Sequence, residues 1–255
     1  GTTQFTFEKK KDHSPKEDII SRKKSSFPKK LNTAAFPVQL AREEIFKSPV
    51  WIGNAPEFVE KLNKSADPYV EKIKKTMKKE IDARNKAFGN KGDRGYIYQT
   101  TSLIGDPNFS EIQNYIIGTS HNLLTEMGFD LKDYQVFMTE MWVQDFAKKG
   151  GGTQITHSHW NGHISGFYFL KCSEATPRPV FADPRPGCLM NSLPEKDRTK
   201  VTYASNQINY DVKPGTIVFS PSALPHMYPP DMGYAPFRFM HFNCQAIPKG
   251  AMNVR

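Results

Sequence analysis

Six of the seven histidines lie between His121 and His241, and three fall within seven residues: His157, His159 and His163. The segment reads Thr156-His157-Ser158-His159-Trp160-Asn161-Gly162-His163. On a strand, residues i and i+2 face the same side, so His157 and His159 would point together. Imidazole is a good ligand for iron, zinc, copper or nickel. The pair supplies two metal ligands and needs one more from a distant strand. A His-x-His pair also occurs on surfaces and in cores, so its spacing alone does not make a site.

The distant candidate is His226. It closes the segment Pro214-Gly215-Thr216-Ile217-Val218-Phe219-Ser220-Pro221-Ser222-Ala223-Leu224-Pro225-His226, in which a turn feeds a strand that Pro221 ends. This delivers His226 just past the strand, near the mouth of a barrel. Twelve residues later Arg238 stands in Phe237-Arg238-Phe239-Met240-His241-Phe242-Asn243. An Arg in a mostly apolar strand needs an anionic partner if it faces inward, and a carboxylate fits its bidentate fork. The alternative is an ordinary surface Arg.

The elements that must position these residues differ along the chain. Residues 1–30 read as a basic, flexible, polar tail. Residues 31–130 read as mainly helical. Val70, Ile73, Met77 and Ile81 recur at helical spacing, Pro68 opens that helix, and Gly89 ends it. A second helix follows Asp106-Pro107 and ends at Gly128. From 131 to 255 short β-branched and aromatic runs are expected as strands: 136–144, 153–159, 164–170, 201–203, 207–212, 216–219 and 237–243. Gly, Pro, Asn and Asp clusters separate them, as in a β-sandwich or barrel. The stretch 175–200 reads as an irregular insertion. This half is expected to form one compact unit with 31–130.

Composition sets outer bounds. The chain has 255 residues, 18 of them Phe, with 38% hydrophobic and 24% charged residues, enough for a full core. The net charge is +9. Residues 9–30 carry nine basic and three acidic side chains, and residues 71–91 carry eight and three, so the remainder is slightly acidic. The charge therefore sits on a tail and one helix face, and nucleic acid is a partner the sequence allows but does not favour. Cys172, Cys188 and Cys244 form no CxxC pair and read as reduced thiols, which places the chain in a cytoplasm, with no membrane partner. No apolar run is long enough for a transmembrane helix.

Taken in order, His-x-His, Ser165-Gly166-Phe167-Tyr168, Asp183-Pro184-Arg185, Pro214-Gly215…Pro221…His226 and then Arg238 resemble the 2-oxoglutarate/Fe(II)-dependent oxygenase superfamily. The chain looks most like the prolyl-hydroxylase-like group of marine phages and bacteria. The resemblance covers residues 134–247. It implies an α+β fold with a double-stranded β-helix (jelly roll) core, buttressed by the N-terminal helices. It implies Fe(II), with 2-oxoglutarate and O2 as co-substrates, in a C–H hydroxylase.

The resemblance makes His226 the distal iron ligand, and Arg238 with Tyr168 the clamp on the far carboxylate of 2-oxoglutarate. The usual proximal motif carries a carboxylate that this sequence lacks. One alignment gives His157 and His159, the other His159 and Asn161, and Asp183 is an outside candidate. The set read here is His157, His159 and His226. Trp160, Asn161 and Trp142 are candidates to line the substrate mouth. Met138 and Glu140 share a side with Trp142, whereas His163 and His241 read as packing or supporting residues. Two other readings compete: a cupin-like three-histidine metalloenzyme without 2-oxoglutarate, and a non-catalytic jelly-roll binding or structural protein. The substrate, whether small molecule or peptide, is left open.

Overall fold

The computed structural model of the chain describes residues 41–185, 187 and 193–251. The basic tail expected over 1–30 and Cys188 lie outside the described residues. The chain divides into Gly1–Lys47 and Ser48–Arg255. Within the first, residues 41–47 form no helix or strand.

Among the described residues, the second unit holds two α-helices and ten strands. Strand β1 is Trp51–Asn54, helix α1 Val59–Phe88, β2 Ile97–Gln99 and α2 Ser110–Glu126. Then come β3 (Tyr134–Phe146), β4 (Gln154–His157), β5 (Ile164–Lys171), β6 (Val180–Ala182) and β7 (Gln207–Asn209). Strands β8 (Thr216–Pro221), β9 (His226–Tyr228) and β10 (Arg238–Pro248) complete it.

The strands form two antiparallel sheets. The larger runs β1-β8-β5-β10-β3-β2 and the smaller β4-β9-β6-β7. From β3 onward the chain passes repeatedly between the sheets, so that β3, β5, β8 and β10 face β4, β6, β7 and β9. That is a jelly roll, the double-stranded β-helix. Its spine is β10, paired with β3 on one side and β5 on the other.

Alternation along the strands creates two cores. One face of the larger sheet packs Val136, Met141, Tyr168, Ile217 and Met240 against Leu62, Ala66, Val70, Ile112 and Ile116 of the helices. The other face meets the smaller sheet through Phe146, Phe167, Phe169, Phe239, Phe181 and Tyr228. Each fully buried side chain of this size contributes about 1.5–3 kcal/mol relative to exposure. Gly166 makes the close packing of β5 possible. A Cβ there would stand 2.1 Å from the Val218 carbonyl oxygen and 2.4 Å from the Phe242 ring.

Several sequence expectations change. Pro68 does not open a helix but lies inside α1, which runs unbroken from Val59. Leu62, Ala66 and Val70 form a buried stripe across it, and their burial offsets the lost hydrogen bond. Gly89 does end α1, at φ +67°, and the Asp106 side chain accepts from the Asn108 N–H ahead of α2. Residues 201–203 are not a strand, whereas 180–182, inside the expected insertion, are. Among the described residues, no helix is long and apolar enough to cross a membrane.

Candidate metal centre

His157 ends β4 and His226 opens β9, and the two are direct cross-strand partners. A turn of two residues beyond β4 brings His159 to them, its N–H donating to the Ser222 carbonyl at 2.9 Å. The ring centroids lie 5.1 Å apart for His157–His159, 4.5 Å for His157–His226 and 5.1 Å for His159–His226. The ring nitrogens of all three converge within 4.8 Å. His159 Nε2 and His226 Nε2 are 3.3 Å apart. Two donors each about 2.0–2.1 Å from one tetrahedral ion stand about 3.4 Å apart, so this spacing suits a shared metal.

Backbone carbonyls select the tautomers. His157 Nδ1 lies 2.7 Å from the Ile155 oxygen, and His226 Nδ1 lies 3.0 Å from the Leu224 oxygen. Each Nδ1–H donates, so each Nε2 keeps its lone pair for a ligand. Burial pushes the His226 imidazole down to about 4 and, with help from neighbouring imidazoles, His159 down to about 3. Both are therefore neutral, as metal ligation requires.

Behind His159 lies a half-buried polar network. Asn161 Nδ2 donates to Glu140 Oε1 at 2.7 Å, and Asn243 Nδ2 donates to Glu140 Oε2 at 2.5 Å. Ser165 donates to Asn243 Oδ1 at 2.5 Å. The close His241 imidazole, together with the Asn161 amide, holds the Glu140 carboxyl below its ordinary range against the opposing effect of burial. Trp142 stacks on His241 at 4.9 Å. Glu140 and Asn243 are assets that single-residue motifs do not reveal. Their signal in the sequence is parity, since Glu140 alternates in phase with Trp142, and Asn243 with His241.

Two expected clamp residues are elsewhere. Arg238 Nε donates to Asp145 Oδ2 at 2.5 Å, and its Nη1 donates to Asp67 Oδ1 at 2.6 Å and Asn63 Oδ1 at 3.2 Å. Its side chain points to α1, because it lies three residues from the inward His241 and so on the opposite face. Its anionic partners belong to the chain itself. Tyr168 lies one residue from inward Phe167, and its hydroxyl donates to the Ala55 carbonyl on the helix side. Both side chains lie on the sheet face opposite the three histidines.

The remaining candidates separate clearly. Asn161 lies in this network and donates to Glu140 Oε1. Asp183 is in neither group of potential metal ligands among the described residues, and its carboxylate accepts from Arg185 Nε at 2.9 Å and Nη2 at 2.7 Å. Trp160 is 94% exposed beside the histidines, and Met138 turns toward the helices. His163 is pinned to β10, its Nδ1 accepting from the Ala246 N–H at 3.0 Å.

Residues 140–243 match the family model described as putative 2OG-Fe(II) oxygenase. That family implies Fe(II), 2-oxoglutarate and O2. No curated protein matches the chain. Among solved structures, a non-heme monooxygenase, the ThoJ-Ni complex, is similar with a TM-score of 0.48 and 10% identity, over 79% of this chain and 76% of that one. A Pseudomonas putida prolyl-4-hydroxylase is similar with a TM-score of 0.43 and 10% identity, over 77% and 92%. A 2OG-Fe(II) oxygenase family oxidoreductase from Burkholderia pseudomallei gives 0.41 and 10%, over 58% and 67%.

Proposed function

We propose that this chain is an Fe(II)/2-oxoglutarate-dependent dioxygenase that hydroxylates a C–H bond, with His157, His159 and His226 as its metal ligands. The observation that carries the reading is the convergence of three imidazoles, from strands β4 and β9 and the segment after β4, on one spot of a jelly roll. The donor set fits iron: three nitrogens on one side leave positions open for exogenous ligands. When bound, iron with 2-oxoglutarate and O2 supplies the oxidising power for hydroxylation.

The chain's own contribution is orientation. The Ile155 and Leu224 carbonyls fix two ligand rings, and Phe167 packs against His226 at 5.2 Å. Phe181 also packs on His226, at 6.0 Å, and these rings bury the His226 imidazole away from water. Trp142 Nε1 and Tyr228 Oη are buried donors without acceptors. A carboxylate is acceptor-only and is the kind of group such donors lack.

The substrate is proposed as a prolyl or other peptidyl residue. Trp160 and Ile155, 94% and 80% exposed, flank the ligands with apolar surface that an extended chain would cover. The test is 2-oxoglutarate turnover: succinate release and O2 consumption by the iron-loaded protein, abolished in His226→Ala, with a mass gain of one oxygen on a peptide substrate. Absence of succinate from iron-loaded wild-type protein, with any peptide tried, would count against it.

A second reading is a three-histidine metalloenzyme that does not use 2-oxoglutarate. The placement of Arg238 and Tyr168 on the helix side favours it. Stoichiometric iron binding with no dependence of oxygen consumption on 2-oxoglutarate would select it.

A further inference from the structure

A second set of ligand atoms adjoins the three-histidine centre. Glu140, His159 and His241 each bring one donor atom, all within 4.8 Å of one another. Glu140 Oε2 stands 3.6 Å from His241 Nε2 and 3.9 Å from His159 Nδ1. Neither separation is a good hydrogen bond, which asks for about 3.2 Å or less. A tetrahedral ion with bonds of about 2.0–2.1 Å needs donors about 3.4 Å apart. The observed gaps exceed that by amounts that small side-chain rotations would close.

An independent observation points to a ligand here. His241 is 3% exposed, and its Nε2 has no hydrogen-bond partner. A buried nitrogen left unpaired costs free energy unless something meets it. Trp142 at 4.9 Å and His159 at 4.5 Å hold the ring in place. Glu140 brings a negative charge to the same spot. Its oxygens accept from two Asn amides, and among the described residues no Lys or Arg pairs with it. A cation would satisfy both the charge and the unpaired nitrogen.

The geometry points to a second metal position, held by Glu140, His241 and Nδ1 of His159, with the His159 imidazole standing between two ions. His159 already turns Nε2 toward His226 and Nδ1 toward Glu140. As the second ion binds, the Nδ1 proton leaves to solvent and each ring nitrogen holds one ion. Two nitrogens and a carboxylate suit a zinc- or iron-class divalent ion. This inference goes beyond the oxygenase reading and shares only His159 with it.

The test is stoichiometry. Metal-free protein is dialysed against a fixed free concentration of Zn(II), and bound zinc is counted per chain. Wild type should hold two ions. His241→Ala and Glu140→Gln should each hold one, and His157→Ala and His226→Ala should each hold one as well. One ion in wild type, or two in both His241→Ala and Glu140→Gln, would overturn the inference and leave Glu140 as a residue that merely orients His159. Glu140→Gln keeps the side chain's shape, so it serves if His241→Ala fails to fold, as circular dichroism would reveal. Failure of the three-histidine centre has its own signature: His157→Ala and His226→Ala would then bind as much as wild type.

Discussion

Arg238 Nε donates to Asp145 Oδ2 at 2.5 Å across the neighbouring strands β10 and β3, on the sheet face turned toward α1. The guanidinium side chain is only 4% exposed, and Asp67 of α1 closes on its other side at 2.6 Å. Lys74 of α1 also reaches Asp145, at 3.3 Å. This ion cluster bolts the long helix to the centre of the jelly roll.

Arg238→Ala should therefore act on stability first. Removing the guanidinium leaves Asp145 with Lys74 as its remaining cation, so the cost stays below the roughly 3–5 kcal/mol of a fully uncompensated buried charge. Urea denaturation should show that loss. A variant as stable as wild type, yet needing much more 2-oxoglutarate, would mean the guanidinium serves the cavity instead.

Gly166→Ala should be among the most damaging small substitutions. The new methyl would meet a backbone carbonyl at 2.1 Å, and backbone cannot turn away as a side chain can. Overpacking costs about 1–3 kcal/mol, and a contact this close belongs at the upper end. The same denaturation experiment would read it, and an unchanged midpoint would contradict the close approach of β5 to β8.

Without metal, the fold should weaken in mild acid. An unfolded chain's histidines take up protons near pH 6.5. Burial holds folded His226 neutral down to about 4 and His159 down to about 3. Between those limits the unfolded chain binds more protons, so stability falls as pH falls. His226 alone accounts for a loss on the order of 3 kcal/mol between pH 7 and pH 4. Urea midpoints at pH 7.5, 6 and 5 should decline in step, whereas equal midpoints would contradict the burial of these rings.

Cys172 and Cys244 should resist alkylation. Burial pushes both thiols up to about 11, and the thiolate is the reactive form. Brief iodoacetamide treatment at pH 8, followed by peptide mapping, should leave both unmodified in native protein and modified after denaturation. Rapid labelling of native Cys244 would contradict its place in the core.

The legible parts of the fold were those with strong periodicity. The strands from 136–144, 164–170, 216–219 and 237–243 carry β-branched and aromatic runs, and each coincides with an observed strand, the last apart from Phe237. Strands β1, β2, β6 and β9 escaped notice because each has only three or four residues, too few for alternation to show. Pro68 reads as the start of α1 rather than its interior because a Pro signal is local, while the Leu62–Ala66–Val70 stripe that overrides it acts through tertiary packing.

The site was legible in the same uneven way. His157, His159 and His226 could be found from spacing and turn signals. The orientation of Arg238 could not, since residue type suggested an inward charge and only its odd offset from His241 put it on the other face. Glu140 was visible as a neighbour on Trp142's side. Its joining to Asn161, Asn243 and His241 is long-range geometry that the sequence does not carry.

The central claim is a three-histidine iron centre that chelates 2-oxoglutarate. Fe(II), then 2-oxoglutarate, added anaerobically to metal-free protein should produce a weak visible charge-transfer band, present in wild type and absent in His226→Ala. Stoichiometric Fe(II) binding that yields no band on saturation with 2-oxoglutarate would contradict it.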